Sequence, residues 1–418
     1  MSGAGAGGGA PAPERTALRR RGRLTVFLTV LLDLLGFGMI LPILPFYGQD
    51  YGASDLQIGL LFAAYSLAQL LFSPLLGKLS DRWGRRPVLL ATIAVAAVAH
   101  TVFAFAGSFA VLVVARFVSG VATANLAVAQ AYMADVTTRA ERSKAMGMIG
   151  AAFGLGFVLG PAFGGALAVI GRAAVPLGAA ALAVVNLAMA AAFLPESLAL
   201  ATREGRRGER WLDLSRAGEV LRNGPLLGLM LLILLVTGAF AMMEATLALF
   251  AQQRFGWGDG EMSATFVYIG VLGVVVQGGL IGPLVRRFGE ERLIPVGILA
   301  LAAGLLLLPA APRPLLFAAT AGLLSVGMGL NNPSTMGLLS RLADESRQGS
   351  VLGLSRSFGS LARVVGPLAG TFLFQRFGPE APFHSSGALM LVALAGALWV
   401  TREARRRLDA EAAAERPC

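Results

Sequence analysis

Apolar runs of about 20 residues recur along the chain, and they constrain its fold more than any other feature. Each run is long enough to cross a hydrocarbon core of roughly 30 Å as a helix. Only 14% of the residues are charged and the mean hydropathy is +0.70, whereas soluble domains carry about 25% charged residues. The sequence therefore predicts an all-α integral membrane protein with 12 transmembrane helices. We place the runs at 25–47, 56–76, 87–107, 109–133, 145–170, 174–194, 225–251, 263–285, 292–311, 314–340, 349–374 and 383–402.

Positive residues divide unequally between the two sides of the predicted membrane. With the N-terminus in the cytoplasm, 28 of the 35 Lys and Arg residues lie in cytoplasmic segments and four lie outside. This bias predicts a multi-pass protein with both termini cytoplasmic, and the preference for Arg over Lys favours a bacterial inner membrane. Membrane topology also explains the net charge of +11, so we expect no nucleic-acid partner.

An internal repeat divides the chain into two halves. Gly77–Gly84 (GKLSDRWG) returns 205 residues later as Gly282–Gly289 (GPLVRRFG), and the Gly-Pro pair at 160–161 returns 206 residues later at 366–367. Nearly equal offsets indicate a duplication into two pseudo-symmetric six-helix bundles. The expected organisation is a disordered basic tail at 1–24, bundles at 25–194 and 225–402, a cytoplasmic linker at 195–224 with a short amphipathic helix at 211–221, and a cytoplasmic tail at 403–418.

The charged turn Gly77–Pro87 (GKLSDRWGRRP) resembles the signature between the second and third helices of the major facilitator superfamily. The stretches Leu32–Pro45 and Leu112–Ala124 are similar to the first and fourth helices of that superfamily. A third stretch resembles the fifth-helix signature of its antiporters. Together they resemble the 12-helix drug/proton antiporters, the tetracycline exporters especially. The fifth-helix signature comprises Gly147, Gly156, Gly160, Pro161, Gly164 and Gly165.

Asp81 is the unexpected residue of the charged turn, because topology requires cations there and no anion. The resemblance implies that Asp81 lies near the cytoplasmic start of the eleventh helix and that Arg82 or Arg85 pairs with Asp135. Such contacts would form a conformational latch that stabilises the outward-facing state; the alternative is a turn whose charges serve topology alone. The latch residues are Gly77, Asp81, Arg82, Gly84, Arg85, Arg86 and Asp135.

Small residues on the fifth helix form one smooth face. Gly156, Gly160 and Gly164 recur every four residues, and Pro161 bends the helix because it lacks a backbone donor. This pattern predicts a close contact between the fifth and eighth helices, across the two halves. The resemblance adds an antiporter role to that packing role.

Charges within the apolar spans are the best functional pointers, because each would cost about 2.5–3.5 kcal/mol unpaired at a helix centre. They are Asp33, Arg116, Glu244, Arg356 and Arg363. Asp33 and Arg116 are predicted to lie at similar depth and to pair. We expect Asp33 to carry the coupling proton, unless this pair is a static brace. Glu244 is the second candidate, or it recognises a cationic substrate, with Arg356 and Arg363 as partners or reaching to water.

Uncharged polar side chains outline a cavity suited to an amphipathic or lipophilic substrate. These residues, with one cation, are Tyr65, Gln69, Thr123, Gln130, Gln277, Ser325, Asn332 and Arg363. Ala99 and Gly273 stand where tetracycline exporters carry an Asp and a His, which argues against recognition of a tetracycline–metal complex.

The sequence favours a proton-driven exporter of amphipathic drugs or metabolites that works by alternating access. The alternatives are a metabolite/proton symporter or uniporter of the same superfamily, or a non-transporting membrane receptor or scaffold. Neither a nucleotide loop nor a Ser/His/Asp arrangement occurs in the sequence, and His occurs at positions 100 and 384 alone. We therefore expect no enzymatic activity, no metal and no cofactor. The expected partners are a small-molecule substrate, protons and the lipid bilayer, with the monomer as the functional unit.

Overall fold

A computed structural model describes residues 12–138, 141–197, 218, 220–343 and 348–414. These residues form helices joined by short turns, without strands. The helices are α1 (Ala12–Ile40), α2 (Leu44–Asp50), α3 (Asp55–Trp83), α4 (Arg85–Ala104), α5 (Phe109–Thr123), α6 (Leu126–Asp135), α7 (Arg142–Ala168), α8 (Ala174–Phe193), α9 (Gly224–Phe255), α10 (Asp259–Val274), α11 (Ile281–Phe288), α12 (Glu290–Leu307), α13 (Pro314–Leu342), α14 (Gln348–Phe377) and α15 (Ala381–Ala414), with a π-helical turn at Val275–Leu280.

Eleven stretches of the described helices are long and apolar enough to cross a membrane. Two of them combine elements, α5 with α6 and α10 with α11. Two described helices lie outside this set: α2, which has seven residues, and α12, whose 18 residues begin with Glu290, Glu291 and Arg292 before an apolar remainder. The chain is therefore a multi-pass membrane protein.

The two ends of the chain are more helical than the sequence indicated. Helix α1 begins at Ala12, so the expectation of a disordered tail at 1–24 is wrong for residues 12–24. That segment is rich in Ala, Arg and Leu, which favour helix. Residues 1–11 and the expected amphipathic helix at 211–221 fall outside the described residues, apart from 218, 220 and 221.

The turns identified as a repeat have the same backbone geometry. Gly84 ends α3 with φ +106° and Gly289 ends α11 with φ +77°. Glycine tolerates positive φ at no steric cost, and the next helix begins directly after each one. The turn at 77–87 is therefore a sharp corner between two helices, and most of its residues are helical.

Equivalent helices make equivalent contacts in the two halves. Helix α1 packs on α7 and α8, as α9 packs on α14 and α15, and α4 packs on α8 as α12 packs on α15. A Cβ on Gly160 would lie 2.7 Å from Cα of Gly38, and a Cβ on Gly366 would lie 2.7 Å from the carbonyl oxygen of Gly238. The duplication seen in the sequence is thus repeated in the packing.

Two helix pairs make the main contacts between the halves. Helix α3 packs on α14, and α7 packs on α10. We call the end of the molecule that carries the turn at 77–87 the basic end, and the other the opposite end. These two pairs decide which end of the molecule is closed.

Candidate functional site

The halves are in contact at the opposite end. The backbone N–H of Leu56, at the start of α3, donates to Oε1 of Gln375 near the end of α14 at 3.1 Å. Gln49 and Gln252 exchange amide hydrogen bonds of 2.9 and 3.2 Å. A Cβ on Gly59 would overlap Thr371 of α14. Close backbone packing and paired amides therefore close this end.

Arg172 joins three elements at the same end, in the turn between α7 and α8. Its Nε donates to Oδ2 of Asp259 at 2.9 Å, and its Nη1 pairs with Asp50. Its guanidinium also lies 5.9 Å from the ring of Phe46. Burial alone would lower the pKa of Arg172, but its hydrogen bonds to Asp50 and Asp259 and their charges raise that pKa above its ordinary value. The Arg172–Asp259 pair crosses between the halves.

Space separates the halves toward the basic end, in the part of the chain that the structure describes. A Cβ added to Gly77 of α3, Gly147 of α7, Gly282 of α11 or Gly353 of α14 would meet no atom within 4 Å. Arg356 of α14 reaches across this space and donates to Oε1 of Gln130 on α6. Arg356 and Arg363 are both exposed although they lie on the side of α14 that faces the other half, so a solvent-accessible cavity between the halves opens toward the basic end.

Three charged residues lie where this cavity ends, below the closed end. Arg116 and Arg363 act electrostatically on Glu244 of α9, yet no ion pair within 4.0 Å joins Glu244 to a described cation. Arg363 is exposed and has no hydrogen-bond or ion-pair partner among the described residues. The expected partnership of Arg363 with Glu244 thus exists as a longer-range interaction.

Arg116 does not pair with Asp33, and that prediction is wrong. Its side chain is 2% exposed; its guanidinium lies 4.4 Å from the ring centroid of Tyr65 and its Nε is 3.4 Å from the carbonyl oxygen of Leu61. The distance along a helix predicted similar depths, but it did not fix the direction of either side chain. Arg116 points toward α3, whereas Asp33 faces α6 and α8.

Two asparagines hold Asp33 instead. Nδ2 of Asn125 donates to Oδ2 of Asp33 at 3.0 Å, and Nδ2 of Asn186 donates to Oδ1 at 3.0 Å. Asn125 also contacts Thr92 at 3.2 Å and lies at the break between α5 and α6. Sequence reasoning missed both amides, although their position inside apolar spans was a usable signal. The Asp33 carboxyl is therefore solvated by neutral donors and pairs with no cation among the described residues.

A second polar group connects three of the predicted lining residues. Nε2 of Gln69 donates to Oγ1 of Thr123 at 3.1 Å and contacts the hydroxyl of Tyr65 at 3.3 Å. The ring of Tyr65 carries Arg116 on one face and stacks on Phe37 at 5.0 Å. Since Thr123 is two residues from Asn125, this group lies beside the Asp33 site.

The other predicted lining residues are dispersed. Gln130 binds Arg356, and Ser325 donates to the carbonyl oxygen of Ile269 at 2.6 Å, tying α13 to α10. Gln277 is exposed in the π-helical turn. Asn332 is exposed, while its neighbour Asn331 is buried with Nδ2 unpartnered in the described structure.

An apolar pocket adjoins Glu244 between α7, α9 and α10. Its walls are aromatic or aliphatic, and the carboxyl of Glu244 is the one ionisable group among them. The pocket draws on both halves, because α7 belongs to one and the remaining helices to the other. The lining residues are Phe157, Phe240, Met243, Glu244, Leu247, Phe266, Ile269 and Gly270.

The candidate latch is centred on Arg85, which is buried. Its guanidinium pairs with Asp81 at 2.6 Å and with Asp135 at 3.1 Å, and Glu196 accepts the backbone N–H of both Arg85 and Arg86. Arg82 is exposed and makes no hydrogen bond or ion pair with a described residue. Of the two arginines that the sequence offered, Arg85 is the one beside Asp135. Glu196 was missed.

The predicted close contact between the fifth and eighth helices is present, since α7 packs on α10, but the glycine stripe itself packs on α1. Added Cβ atoms on Gly156 and Gly164 would clash with Leu34 and Met39 of α1. The three glycines form a single stripe because residues four apart share a face of a helix, and this face is the one in contact with α1. The contact with α10 uses the neighbouring face, where a Cβ on Gly165 would lie 2.7 Å from Cβ of Ser263.

Comparison with known proteins identifies the family. The model of the Major Facilitator Superfamily matches residues 26–300 and 271–418. The chain belongs to the major facilitator superfamily. It is 34% identical to the class C tetracycline resistance protein of Escherichia coli, over 84% of this chain and 89% of that protein. It is 28% identical to multidrug resistance protein 2 of Bacillus subtilis, over 88% and 94% of the two chains.

A solved structure of the superfamily has the same fold. The crystal structure of the human organic anion transporter MFSD10 (TETRAN) superposes with a TM-score of 0.70 and 28% identity, covering 91% of this chain and 99% of that one. As a transporter of this superfamily, the chain has a small-molecule substrate and resides in a lipid bilayer.

Proposed function

We propose that the chain exports amphipathic small molecules in exchange for protons, by alternating access between six-helix bundles at 25–194 and 225–402. The observation that carries this proposal is a cavity closed at one end by contacts between the halves, with ionisable side chains directly below the closure. A site between two duplicated halves is the usual layout of such transporters. Relatives named as tetracycline and multidrug resistance proteins favour export.

The basic end is assigned to the cytoplasm, and the state described is then inward-facing. The bias of Lys and Arg toward this end supports that assignment. Substrate would enter the open cavity from the cytoplasm or the inner leaflet. Release on the other side requires the contacts of Arg172, Gln49 and Leu56 to separate.

Asp33 is the proposed proton carrier. Because neutral amides solvate it, it can gain or lose a proton without breaking an ion pair. As a carboxylate it accepts hydrogen bonds from both asparagines; once protonated, one oxygen becomes a hydrogen-bond donor and a weaker acceptor. Asn125 or Asn186 must then turn its carbonyl oxygen toward Asp33 or move away.

This rearrangement is adjacent to the substrate cavity. Asn125 lies where α5 gives way to α6, two residues from Thr123. Thr123 is linked through Gln69 and Tyr65 to Arg116. We infer that protonation of Asp33 shifts this break and is felt at Arg116. Glu244 is the second candidate carrier, since it is the ionisable wall of the apolar pocket.

The Asp81–Arg85–Asp135 cluster is the proposed latch at the basic end. Its three residues lie in the same half and are paired in the inward-facing arrangement, so the cluster holds the corner between α3 and α4 to the end of α6 and does not by itself favour the outward-facing state that the sequence suggested. The alternative is that the cluster only fixes the corner between α3 and α4. In that case, loss of the cluster would lower the stability of the protein and leave the transport rate per folded molecule unchanged.

Reconstituted vesicles test the proposal. Purified protein is placed in vesicles with an imposed pH gradient, and uptake of amphipathic organic anions, cations and neutral compounds is followed. Accumulation of a compound against protons moving the other way is expected. Accumulation in the same direction as protons would establish a symporter instead, and gradient-independent equilibration a uniporter. Failure to move any compound would favour a receptor or scaffold.

A further inference from the structure

We propose that the cavity binds amphipathic organic anions, with a planar acid head on Arg363 and an apolar body against the wall formed by Phe157, Phe240 and Phe266. This inference rests on the proposed function and names the substrate class of that site.

The position of Arg363 on α14 supports the first part. Arg356, two turns away on the same side of α14, contacts Gln130 of the other half, and Pro367, one turn away, lies against Gly59 of α3. Arg363 therefore faces the other half, one turn below the closure. Since Arg363 is exposed and makes no hydrogen bond or close ion pair with a described residue, its N–H donors are available to a bound anion.

The balance of charge favours an anion over a cation. Arg363 and Arg116 both act on Glu244, so two positive charges surround one negative charge. The negative charge of Asp33 does not offset these two arginines, because Asp33 contacts neutral amides. Arg356 adds another positive charge, whose contact is with the amide of Gln130. A cation near Glu244 would meet two arginines, whereas an anion would meet them as partners.

The geometry of the guanidinium and the pocket defines the ligand. A guanidinium presents paired N–H donors in a plane, which match the two oxygens of a carboxylate. The pocket beside Glu244 has a volume of about 40 Å³, too small for a ring system, so the apolar body is expected to lie across its mouth, against apolar walls that come from both halves. The expected ligand is therefore an aromatic or alkyl carboxylate of modest size.

Binding to the purified protein tests this inference with three matched probes: 2-naphthoate, 2-naphthamide and 2-naphthylmethylammonium. Equilibrium dialysis in detergent should give tightest binding for 2-naphthoate. Arg363→Gln should weaken its binding at least ~10-fold, the scale of a lost hydrogen bond to a charged group, and Arg363→Lys should weaken it less. Arg376→Gln, on the same helix at the opposite end, should stay within about two-fold of wild type.

Glu244→Gln decides the sign of the preference. Removing this negative charge should strengthen 2-naphthoate binding several-fold, whereas a cation site would lose its ligand. Preferential binding of 2-naphthylmethylammonium that Glu244→Gln abolishes would overturn the inference, as would equal binding of all three probes or absence of binding. Monodisperse elution of each variant establishes that it is folded. Since dialysis requires neither a proton gradient nor transport, its result is separate from that of the export test.

Discussion

Replacing Arg172 with Gln should shift the protein toward a state that is open at the opposite end. Arg172 makes two ion pairs, and the pair with Asp259 crosses between the halves. This pair therefore stabilises only the arrangement in which the opposite end is closed. The Arg172 side chain is 36% exposed, and pairs of this kind contribute ~1 kcal/mol. Loss of that amount changes a two-state ratio about five-fold. Asp50 lies in the same half as Arg172, and its pair should not affect the ratio.

Distances between spin labels measure this shift directly. Spin labels are attached at Ala110→Cys and Gln253→Cys in a Cys418→Ser background. The distance between them reports the separation of the halves at the opposite end. Arg172→Gln should enlarge the population with the longer distance about five-fold relative to the shorter one. Arg313→Gln removes another exposed arginine at this end and serves as the matched control. An unchanged distribution in Arg172→Gln would refute the gate, and an equal shift in Arg313→Gln would indicate a non-specific effect of charge.

Three further predictions concern packing, the latch and the proton site. Gly160→Ala should lower the apparent Tm, since its Cβ would press on the α1 backbone at 2.7 Å and overpacking costs about 1–3 kcal/mol; Gly147→Ala, which faces open space, should leave Tm unchanged. Arg85→Gln should cut the transport rate per folded molecule at least ~10-fold through loss of charged hydrogen bonds; an equal loss in Arg82→Gln would argue against a specific latch. Asn125→Leu removes a donor that stabilises the charged carboxylate of Asp33, so the carboxyl releases its proton less readily and gradient-driven transport should fall most at low pH and recover at high pH; a uniform loss at every pH would contradict this.

The sequence was most informative about the features that a lipid bilayer imposes on a chain that spans it. Long apolar runs predicted the helices because a spanning segment must satisfy its own backbone, and the repeat at 77–84 and 282–289 predicted turns that share a positive φ. The expectation of a disordered N-terminal tail was less reliable, because the helix-favouring residues from Ala12 onward extend α1 back to that point.

Partners of individual side chains were harder to predict, because depth along a helix does not give direction around it. Asp33 and Arg116 were expected to pair, yet each faces a different neighbour. Asn125 lies at the break between α5 and α6, and there it contacts Asp33. Asn186 could not be placed at all without knowing that α8 packs on α1. Long-range packing decides these contacts.

Coupling through Asp33 is the central claim, and one comparison tests it most directly. Vesicles containing wild type or Asp33→Asn are assayed for pH-gradient-driven accumulation of a transported compound and for its exchange without a gradient. The account predicts that Asp33→Asn loses accumulation but keeps exchange within about two-fold of wild type, since an uncharged side chain there can still hydrogen-bond Asn125 and Asn186. Accumulation by Asp33→Asn at the wild-type level would contradict the account.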